Sequence, residues 1–307
     1  MRIAILGHQG SWYCEQLSQS AAARGHESVK LEFRDLTSLL AGMQQEQFFW
    51  HGEENDRIEL NQFDCLIIRT MPPGSLEQVI FRMDLLGQLE RSGVIVFNSA
   101  RSIECAVDKY LTTSRLAAAG LPVPATAVCE SFEAAMQHFE QLGGDVVVKP
   151  LFGSEGRGIF RISDPDLAYR SFRTLERTQA VIYLQQYIPH PGYDLRILIL
   201  NGNVIGAIRR HGNNDFRTNI SRQGRAEPYH PSDREVELAL RAAELTHAEF
   251  AGVDLLAPAD APEECYLLEV NAVPGWRGFQ SATNVDVSSL VIEYLEQKRN
   301  NVSSSQP

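Results

Sequence analysis

Short apolar runs alternate with amphipathic stretches over the first hundred residues. The apolar runs predict strands and the amphipathic stretches predict helices. In chain order the predicted elements are a strand at Ile3–Leu6, a helix at Trp12–Arg24, strands at Ser28–Phe33 and Cys65–Arg69, a helix at Ser75–Ser92 and a strand at Val94–Phe97. Because parallel strands need a crossover connection, this alternation predicts a parallel sheet with helices packed on it.

A new unit is predicted to begin after Ala100. A helix at Val107–Ala119 ends at Gly120, and two prolines then favour an extended segment. The elements that follow are a helix at Ser131–Leu142, strands at Asp145–Lys149 and Ile159–Ile162, a helix at Pro165–Arg177, strands at Val181–Gln186, Leu195–Leu200 and Val204–Arg210, a helix at Asp233–Phe250, strands at Gly252–Leu256 and Tyr266–Asn271, and a helix at Val287–Gln297. The polar residues after that helix predict a disordered tail.

The charge balance excludes one class of partner. The chain carries 28 Lys plus Arg against 39 Asp plus Glu, a formal net charge of −11, which argues against a protein that coats nucleic acid. No apolar run approaches the roughly 20 residues of a membrane span, and the first residues lack signal-peptide anatomy, so we expect a cytoplasmic chain with no membrane partner. The five cysteines are scattered, which argues against a zinc site or a disulfide framework.

The strand that ends at Lys149 leads into a loop with three glycines, Gly153, Gly156 and Gly158, and one serine, Ser154. Glycines allow successive amide hydrogens to point at an anion, and a lysine at the strand end adds a positive charge. The loop joins two strands, so it is not a Walker loop. Phosphate binding is one interpretation, and a hairpin whose glycines only form turns is the other.

Three oxygen-bearing side chains lie on the last two predicted strands. Glu269 and Asn271 point to the same face of their strand, and an adjacent strand can bring Asp254 beside them. Oxygen ligands of this kind suit magnesium. The alternative is a set of ordinary carboxylates on half-exposed strands.

A cluster of arginines interrupts this acidic chain between 196 and 225. Its members are Arg196, Arg209, Arg210, Arg217, Arg222 and Arg225, against a single acid, Asp215. Guanidinium groups bind phosphate or carboxylate bidentately, so the cluster predicts an anion site; a solvated basic face for an acidic partner is the alternative. Arg209 and Arg210 alternate in direction, and we expect Arg209 to face the site.

Eight motifs occur in the order of the RimK-like ATP-grasp ligases, which the chain resembles from its first strand to about Leu295. They are Val-Asp-Lys-Tyr, Pro-Val-Pro-Ala-Thr, Val-Val-Lys-Pro with Gly-Ser-x-Gly-x-Gly, Gln-Gln-Tyr-Ile, Tyr-Asp-Leu-Arg, Asp-Phe-Arg-Thr-Asn-Ile-Ser-Arg, Gly-Val-Asp-Leu-Leu and Leu-Glu-Val-Asn-Ala-Val-Pro-Gly. The resemblance implies an α/β and α+β fold, with a Rossmann-like N-terminal domain at 1–100. An ATP-grasp unit of two lobes would follow, at 101–185 and 186–297, with a disordered tail at 298–307.

The resemblance also implies roles for individual residues. Lys109 and Lys149 would bind the nucleotide under a lid loop at 153–158, which includes Ser154. Adenine would lie against Gln186, Tyr187 and Ile188, with Asp194 near the ribose and Arg217 and Asn219 near the phosphates. The magnesium ligands would be Asp254, Glu269 and Asn271, and Arg196, Arg209 and Arg210 would bind substrate carboxylates, with Arg209 and Arg217 also catalytic. Two positions depart from the family pattern: Gln186 replaces a common glutamate, and Trp276-Arg277 replaces smaller or aliphatic residues.

The activity implied is an ATP-dependent carboxylate-amine ligase that uses two Mg²⁺ or Mn²⁺ ions. It would add L-glutamate to a carboxylate acceptor, either a coenzyme or a protein C-terminus, through an acylphosphate. Two alternatives stay open: a ligase for another amino acid or for an acceptor on a carrier protein, and a synapsin-like regulatory protein that binds ATP. A homo-oligomer is also open. Trp12, Tyr13 and Trp276 could stack on a flat acceptor or form core.

Overall fold

The structure is a computed structural model and describes residues 1–41, 46–52, 57–153, 156–212 and 225–304. The chain divides into two compact units. The first comprises Met1–Glu104, His247–Ala251 and Ala272–Pro307, and the second comprises Cys105–Thr246 and Gly252–Asn271. Among the described residues, no helix is long and apolar enough to cross a membrane.

The first unit is built on a four-stranded parallel sheet. Its strands are β1 (Arg2–Leu6), β2 (Glu27–Leu31), β6 (Cys65–Ile68) and β7 (Ile95–Phe97), in the order β2-β1-β6-β7. Residues 3–6 of β1 are fully buried, as expected for a strand covered on both faces. The helices α1 (Trp12–Ala23), α2 (Leu76–Arg91) and α9 (Val287–Ser304) belong to this unit, and α9 packs on α1. The predicted parallel sheet is therefore present.

A second sheet in this unit was not predicted. It is antiparallel and consists of β3 (Leu36–Ala41), β4 (Glu46–His51) and β5 (Ile58–Glu59). Two further differences concern the C-terminus: α8 (Arg277–Thr283) falls where no element was predicted, and α9 runs to Ser304, beyond the predicted end of the last helix.

Asn98 fastens the two returning segments of the first unit to its sheet. Its side chain is 2% exposed, and its Nδ2 donates to the carbonyl oxygens of Phe250 and Ala272, each at 2.6 Å. The Phe250 N–H donates back to Asn98 Oδ1 at 3.0 Å. This buried amide therefore joins chain segments about 150 and 174 residues away in sequence.

The second unit contains two β-sheets, each with helices packed beside it. One is the antiparallel sheet β10-β9-β11-β8, formed by β8 (Thr126–Cys129), β9 (Val146–Lys149), β10 (Phe160–Ile162) and β11 (Ile182–Gln186). Helices α5 (Phe132–Gln141) and α6 (Pro165–Arg177) bury one face of it in an apolar core. The other is the sheet β14-β13-β12-β15-β16, formed by β12 (Tyr193–Leu200), β13 (Asn203–His211), β14 (Arg225–Tyr229), β15 (Phe250–Leu256) and β16 (Tyr266–Asn271), with α7 (Asp233–Leu245) beside it.

Two predicted helices have different bounds for local reasons. The helix predicted at Val107–Ala119 is α4 (Lys109–Ala118), which begins after Asp108 because Asp108 is extended and its carboxylate caps α4 by accepting from the Leu111 N–H. The helix α3 (Ala100–Val107), which precedes it, was not predicted. The helix α7 ends at Leu245 rather than Phe250, because His247 adopts a left-handed φ of 56°.

Candidate active site

One pocket of the second unit collects most of the predicted site residues. It is lined by residues of β9 and β11 and by residues of β12, β13, β15 and β16. The predicted residues that line it are Lys109, Lys149, Gly153, Gly156, Gln186, Tyr187, Ile188, Asp194, Arg210, Asp254 and Glu269. Gly158, Arg196, Arg209 and Asn271 do not line it. Ser154, Arg217, Asn219 and Arg222 lie outside the residues that the structure describes.

Lys149 ends β9 with its ammonium group in the pocket. The Nζ donates to Gln185 Oε1 at 2.5 Å, and Gln185 in turn donates from Nε2 to Thr126 Oγ1 at 3.0 Å. Burial lowers the pKa of Lys149 to about 8, although the carboxylates of Glu269 and Asp254 act in the opposite direction. A cation whose hydrogen-bond partner is a neutral amide retains most of its charge for an anionic ligand.

Lys109 and the glycine loop close another side of the pocket. Lys109 begins α4, and its Nζ donates to the Gly153 carbonyl at 2.8 Å. Gly156 and Gly158 have φ values of 69° and 72°, a region that glycine adopts without strain. Glycine therefore stands where the backbone turns left-handed. Lys109 on α4 contacts the first glycine of the loop, Gly153.

A network of two arginines and two aspartates lies beside the pocket, and its members Asp194, Arg210 and Asp254 line it. Arg210 Nε and Nη2 donate to the Asp194 carboxylate at 2.7 and 2.5 Å, and Arg210 Nη2 also lies 2.9 Å from Asp254. Arg196 donates to Asp254 through the same two nitrogens, at 2.7 Å each. Burial by itself lowers the pKa of Arg210, but the two carboxylates outweigh it and raise that pKa. Burial likewise raises the pKa of Asp254, and the two arginines reverse the effect and lower it.

The prediction that Arg209 faces the site is wrong, because Arg210 does so. Arg210 pairs in register with Asp194, whereas Arg209 pairs with Leu195 and points to the opposite face. There Arg209 stacks on the rings of Tyr193 and Tyr229, at 4.9 and 4.5 Å, and lies 3.8 Å from Glu227. A bulge between Leu198 and Ile199 shifts the pairing by one residue, and such a shift exchanges the two faces.

The three predicted metal ligands are brought together by strand register. Asp254 on β15 pairs directly with Glu269 on β16, and Asn271 lies two residues further along the same face. Asn271 donates weakly to the Gly252 carbonyl, at 3.4 Å. Within the described ranges, no cluster of three or more His, Cys, Asp or Glu side chains is present, so a metal here would use two carboxylates and an amide oxygen.

The segment 186–188 contributes differently from what the sequence suggested. The Gln186 N–H donates to the Ala125 carbonyl, and its side chain is exposed. The Tyr187 ring is covered by Arg161, whose Cζ lies 3.5 Å from its centroid. The neighbouring Gln185, which sequence reasoning missed, is the buried side chain that holds Lys149. Gln185 pairs with Val147, two residues before Lys149, and this pairing is a property of the fold that no sequence signal indicated.

Other residues of the pocket were also missed. They are Pro124, Val147, Arg157, Ile159, His190, Leu256 and Leu268. Most of them are apolar, so the pocket offers apolar surface for a flat group in addition to its charges.

Family comparisons agree with this fold. The RimK-like ATP-grasp domain matches residues 106–295, and the RimK PreATP-grasp domain matches residues 1–103. The chain therefore belongs to the RimK-like ATP-grasp family. It is 31% identical to the tetrahydromethanopterin:alpha-L-glutamate ligase of Methanosarcina acetivorans, over 93% of this chain and 95% of the relative. It is also 31% identical to the ribosomal protein bS6–L-glutamate ligase of Escherichia fergusonii, over 96% of each chain.

Solved structures share the fold at lower sequence identity. The ATP-grasp ligase PsnB in complex with a minimal precursor has a TM-score of 0.74 at 24% identity, and covers 96% of this chain and 98% of that one. A RimK domain protein from Sphaerobacter thermophilus has a TM-score of 0.73 at 22% identity, and covers 96% and 99%. The expected family, fold class and membership of the ATP-dependent ligases are thus confirmed. ATP-grasp ligases use ATP and Mg²⁺, and one PsnB structure contains Mg and ADP.

Proposed function

We propose that this chain joins the amino group of L-glutamate to a carboxylate acceptor at the expense of ATP. The observation that carries the proposal is the meeting of Lys109, Lys149 and Arg210 with Asp254 and Glu269 in one pocket. Cations and carboxylates in one site match a polyphosphate that needs both cationic donors and oxygen ligands for a metal. The names of the two glutamate ligases described above supply the choice of amino acid.

The reaction has two balanced steps. An oxygen of the acceptor carboxylate attacks the γ-phosphorus of ATP, and the bond to the β-phosphate oxygen breaks, which gives an acylphosphate and ADP. The neutral amine of glutamate then attacks the acyl carbon, inorganic phosphate leaves, and the amine loses a proton. No side-chain nucleophile is required, so the protein contributes positioning, charge and exclusion of water.

The predicted residues of the pocket have the following roles in this reaction. Lys109 and Lys149 bind phosphate oxygens, the glycine loop 153–158 covers them, and the apolar end next to Ile188 holds the adenine. The backbone of 186–188 and the Asp194 side chain would lie along the base and ribose. Arg217 and Asn219 are proposed as further phosphate ligands. Arg209 takes no part in the scheme, because its side chain lies on the face of β13 opposite to Arg210.

The donor set also fits divalent cations. Glu269, Asp254 and Asn271 present oxygens on one face, and among the described residues Glu269 makes no ion pair, so its carboxylate is available. Bound Mg²⁺ or Mn²⁺, as one or two ions, would offset the charge of the transferring phosphoryl group. Arg196 and Arg210 hold Asp254 in position for this role.

The acceptor is a second carboxylate substrate, either a coenzyme or a protein C-terminus. The relatives named above act on a methanopterin and on a ribosomal protein, and both kinds of acceptor are included in the proposal. Purified protein is incubated with ATP, Mg²⁺, L-glutamate and a panel of such acceptors. Phosphate release and a mass increase of one glutamyl residue are the readouts.

Lys149→Ala and Glu269→Ala test the site assignment. We expect each to reduce glutamyl transfer by more than about 100-fold, because each removes a charge that stabilises the transferring phosphoryl group. Lys30→Ala and Glu140→Ala are the matched controls, since both side chains are exposed and lie away from the pocket. Near wild-type rates in either site variant would overturn the assignment.

A further inference from the structure

Arg69 is a buried arginine at the carboxyl edge of the parallel sheet in the first unit. It follows directly after β6, and its N–H donates to the Leu6 carbonyl at the end of β1. Only 6% of the residue is exposed. In open parallel sheets this edge is where ligands bind. The same edge carries the loop that leads into α1, whose N-terminus adds a partial positive charge.

The guanidinium of Arg69 has no carboxylate partner among the residues that the structure describes. Its Nη2 donates to the Pro274 carbonyl at 2.8 Å, and its Cζ lies 5.0 Å from the Tyr13 ring and 4.3 Å from the Trp276 ring. Its Nε is enclosed and finds no acceptor on any residue that the structure describes. Burial without a counter-ion lowers the pKa of Arg69 to about 10.

Further unsatisfied donors surround it. Trp276 is fully buried, and its Nε1 has no acceptor within the described part of the chain. The exposed Arg277 lies with its Cζ 5.6 Å from the Trp12 ring, and it too makes no ion pair with a described residue. We call Trp12, Tyr13, Arg69, Trp276 and Arg277 the arginine–aromatic cluster. It presents N–H donors and two positive charges, so a ligand that is rich in acceptors would balance it.

The buried arginine Arg210 and the half-buried Arg196 show what is missing at Arg69. Both use Nε and Nη2 to grip an aspartate at 2.5–2.7 Å. The corresponding edge of Arg69 meets a single carbonyl. A planar carboxylate fits this edge bidentately and would satisfy Nε, whereas a carbonyl cannot.

We propose that the arginine–aromatic cluster binds a carboxylate group of the acceptor substrate, with Arg69 as its main ligand. That the carboxylate belongs to the acceptor rests on the proposed function, whereas the site itself rests on the cluster. Because Arg69 Nε is enclosed, the half-buried rings of Trp12 and Tyr13 must shift when the carboxylate binds. Arg277 would contribute a second, exposed charge.

The test uses tryptophan fluorescence of the full chain without ATP or metal. All three tryptophans, Trp12, Trp50 and Trp276, belong to the first unit, so the signal comes from the unit that contains the cluster. Glutarate is titrated at constant ionic strength, with inorganic phosphate in a parallel titration. We expect a saturable change with glutarate that Arg69→Gln weakens about tenfold or more, the size of a lost charge-assisted hydrogen bond. Arg277→Gln should weaken it a few-fold.

Arg82→Gln is the matched control. Arg82 is 7% exposed in the same unit, donates to the Pro72 carbonyl at 2.7 Å and lies over the Phe33 ring, but its side chain leaves no enclosed unsatisfied nitrogen among those described. We expect its affinity for glutarate to match the wild type. Arg69→Lys keeps the charge without the planar fork and covers the case in which Arg69→Gln does not fold. It should raise the KM for the acceptor while leaving kcat within a few-fold.

Two results would overturn the proposal. One is a wild-type chain that shows no saturable response to glutarate, or an equal response to phosphate. The other is an affinity for glutarate that is unchanged in both single variants, Arg69→Lys and Arg277→Gln. Either result leaves the proposed ligase activity standing if glutamyl transfer is detected. Conversely, glutarate binding in a protein without any glutamyl transfer would contradict the proposed function but not the carboxylate site.

Discussion

Two buried arginines in the two units have opposite surroundings. Arg210 is 3% exposed in the second unit and touches two carboxylates, which raise its pKa. Arg69 is 6% exposed in the first unit and touches a carbonyl and two aromatic rings, and its pKa is lowered. A buried charge is tolerated when a counter-ion is built into the protein. Arg210 therefore has its counter-ions within the protein, whereas the proposed counter-ion of Arg69 is a carboxylate of a bound ligand.

Lys149 is intermediate between these two cations. It lies in the same pocket as Arg210, and Glu269 and Asp254 act on its charge without a direct ion pair among the described residues. Its direct partner is the neutral Gln185. The pocket therefore combines one satisfied cation that fixes geometry with another whose charge is available to a polyphosphate.

Removing Arg210 should have the largest effect on stability. Arg210→Gln leaves the Asp194 carboxylate buried without its counter-ion, so we expect a loss of about 3–5 kcal/mol. Hydrogen–deuterium exchange read by mass spectrometry on peptides from β12 and β13 measures this loss within the second unit.

Arg209→Gln is the adjacent control for that experiment. Arg209 is on the opposite face and only partly buried, so its stacking on Tyr193 and Tyr229 should be worth less than about 1 kcal/mol after solvent screening. Equal losses in the two variants would contradict the assignment of faces.

Nucleotide affinity should fall as the pH rises through about 8. Burial lowers the pKa of Lys149 to about 8, so the ammonium form that attracts phosphate is present below that pH and is lost above it. If binding requires that form, the dissociation constant for ATP rises towards about tenfold per pH unit above pH 8. Calorimetric titration between pH 7 and pH 10 without metal measures it.

Lys149→Arg separates this group from the rest of the pocket. Arginine stays protonated across the range, so the variant should bind ATP with a nearly flat pH profile. A profile as steep as that of the wild type would show that another group titrates.

The fold could be predicted from sequence where burial is continuous or periodic. β1, with its buried run at 3–6, and the amphipathic α6 lie within one residue of their predicted bounds. The sheet β3–β5 was missed because its alternation is partial: Phe49 on β4 is buried, but the consecutive residues Leu39 and Leu40 on β3 are both exposed. Alternation of this kind is resolved by pairing with other strands, which a single segment does not specify.

The residue types of the site could be predicted from the sequence, but the strand face on which each side chain lies could not. Lys149, Asp254 and Glu269 stand at strand ends or in register pairs that motif spacing already indicated. The choice between Arg209 and Arg210 depended on Ile205, the extra residue of the bulge next to Gly206. If the pairing were regular, with Ile205 opposite Leu198, Arg209 would lie opposite Asp194. The partners of Arg69 were also beyond prediction, because Pro274 and Trp276 lie more than 200 residues away.

Removing Arg69 should have a smaller effect on stability than removing Arg210. Arg69→Met deletes a hydrogen bond and two ring contacts but also deletes an uncompensated buried charge, so we expect a change below about 2 kcal/mol. Urea unfolding followed by tryptophan fluorescence reports on the first unit, which contains all three tryptophans.

A saturating carboxylate should increase the difference in unfolding free energy between the wild type and Arg69→Met. At 100 times the dissociation constant of the wild type, glutarate should stabilise the wild type by about 2.7 kcal/mol and Arg69→Met by about 1.4 kcal/mol or less, because a site that binds at least about tenfold more weakly gains less from the same ligand concentration. The gap between the two proteins would then approach the cost of removing Arg210, since the ligand supplies at Arg69 the counter-ion that Asp194 supplies at Arg210. A loss of 3 kcal/mol or more without any ligand would instead make Arg69 a structural residue whose carbonyl and ring partners suffice.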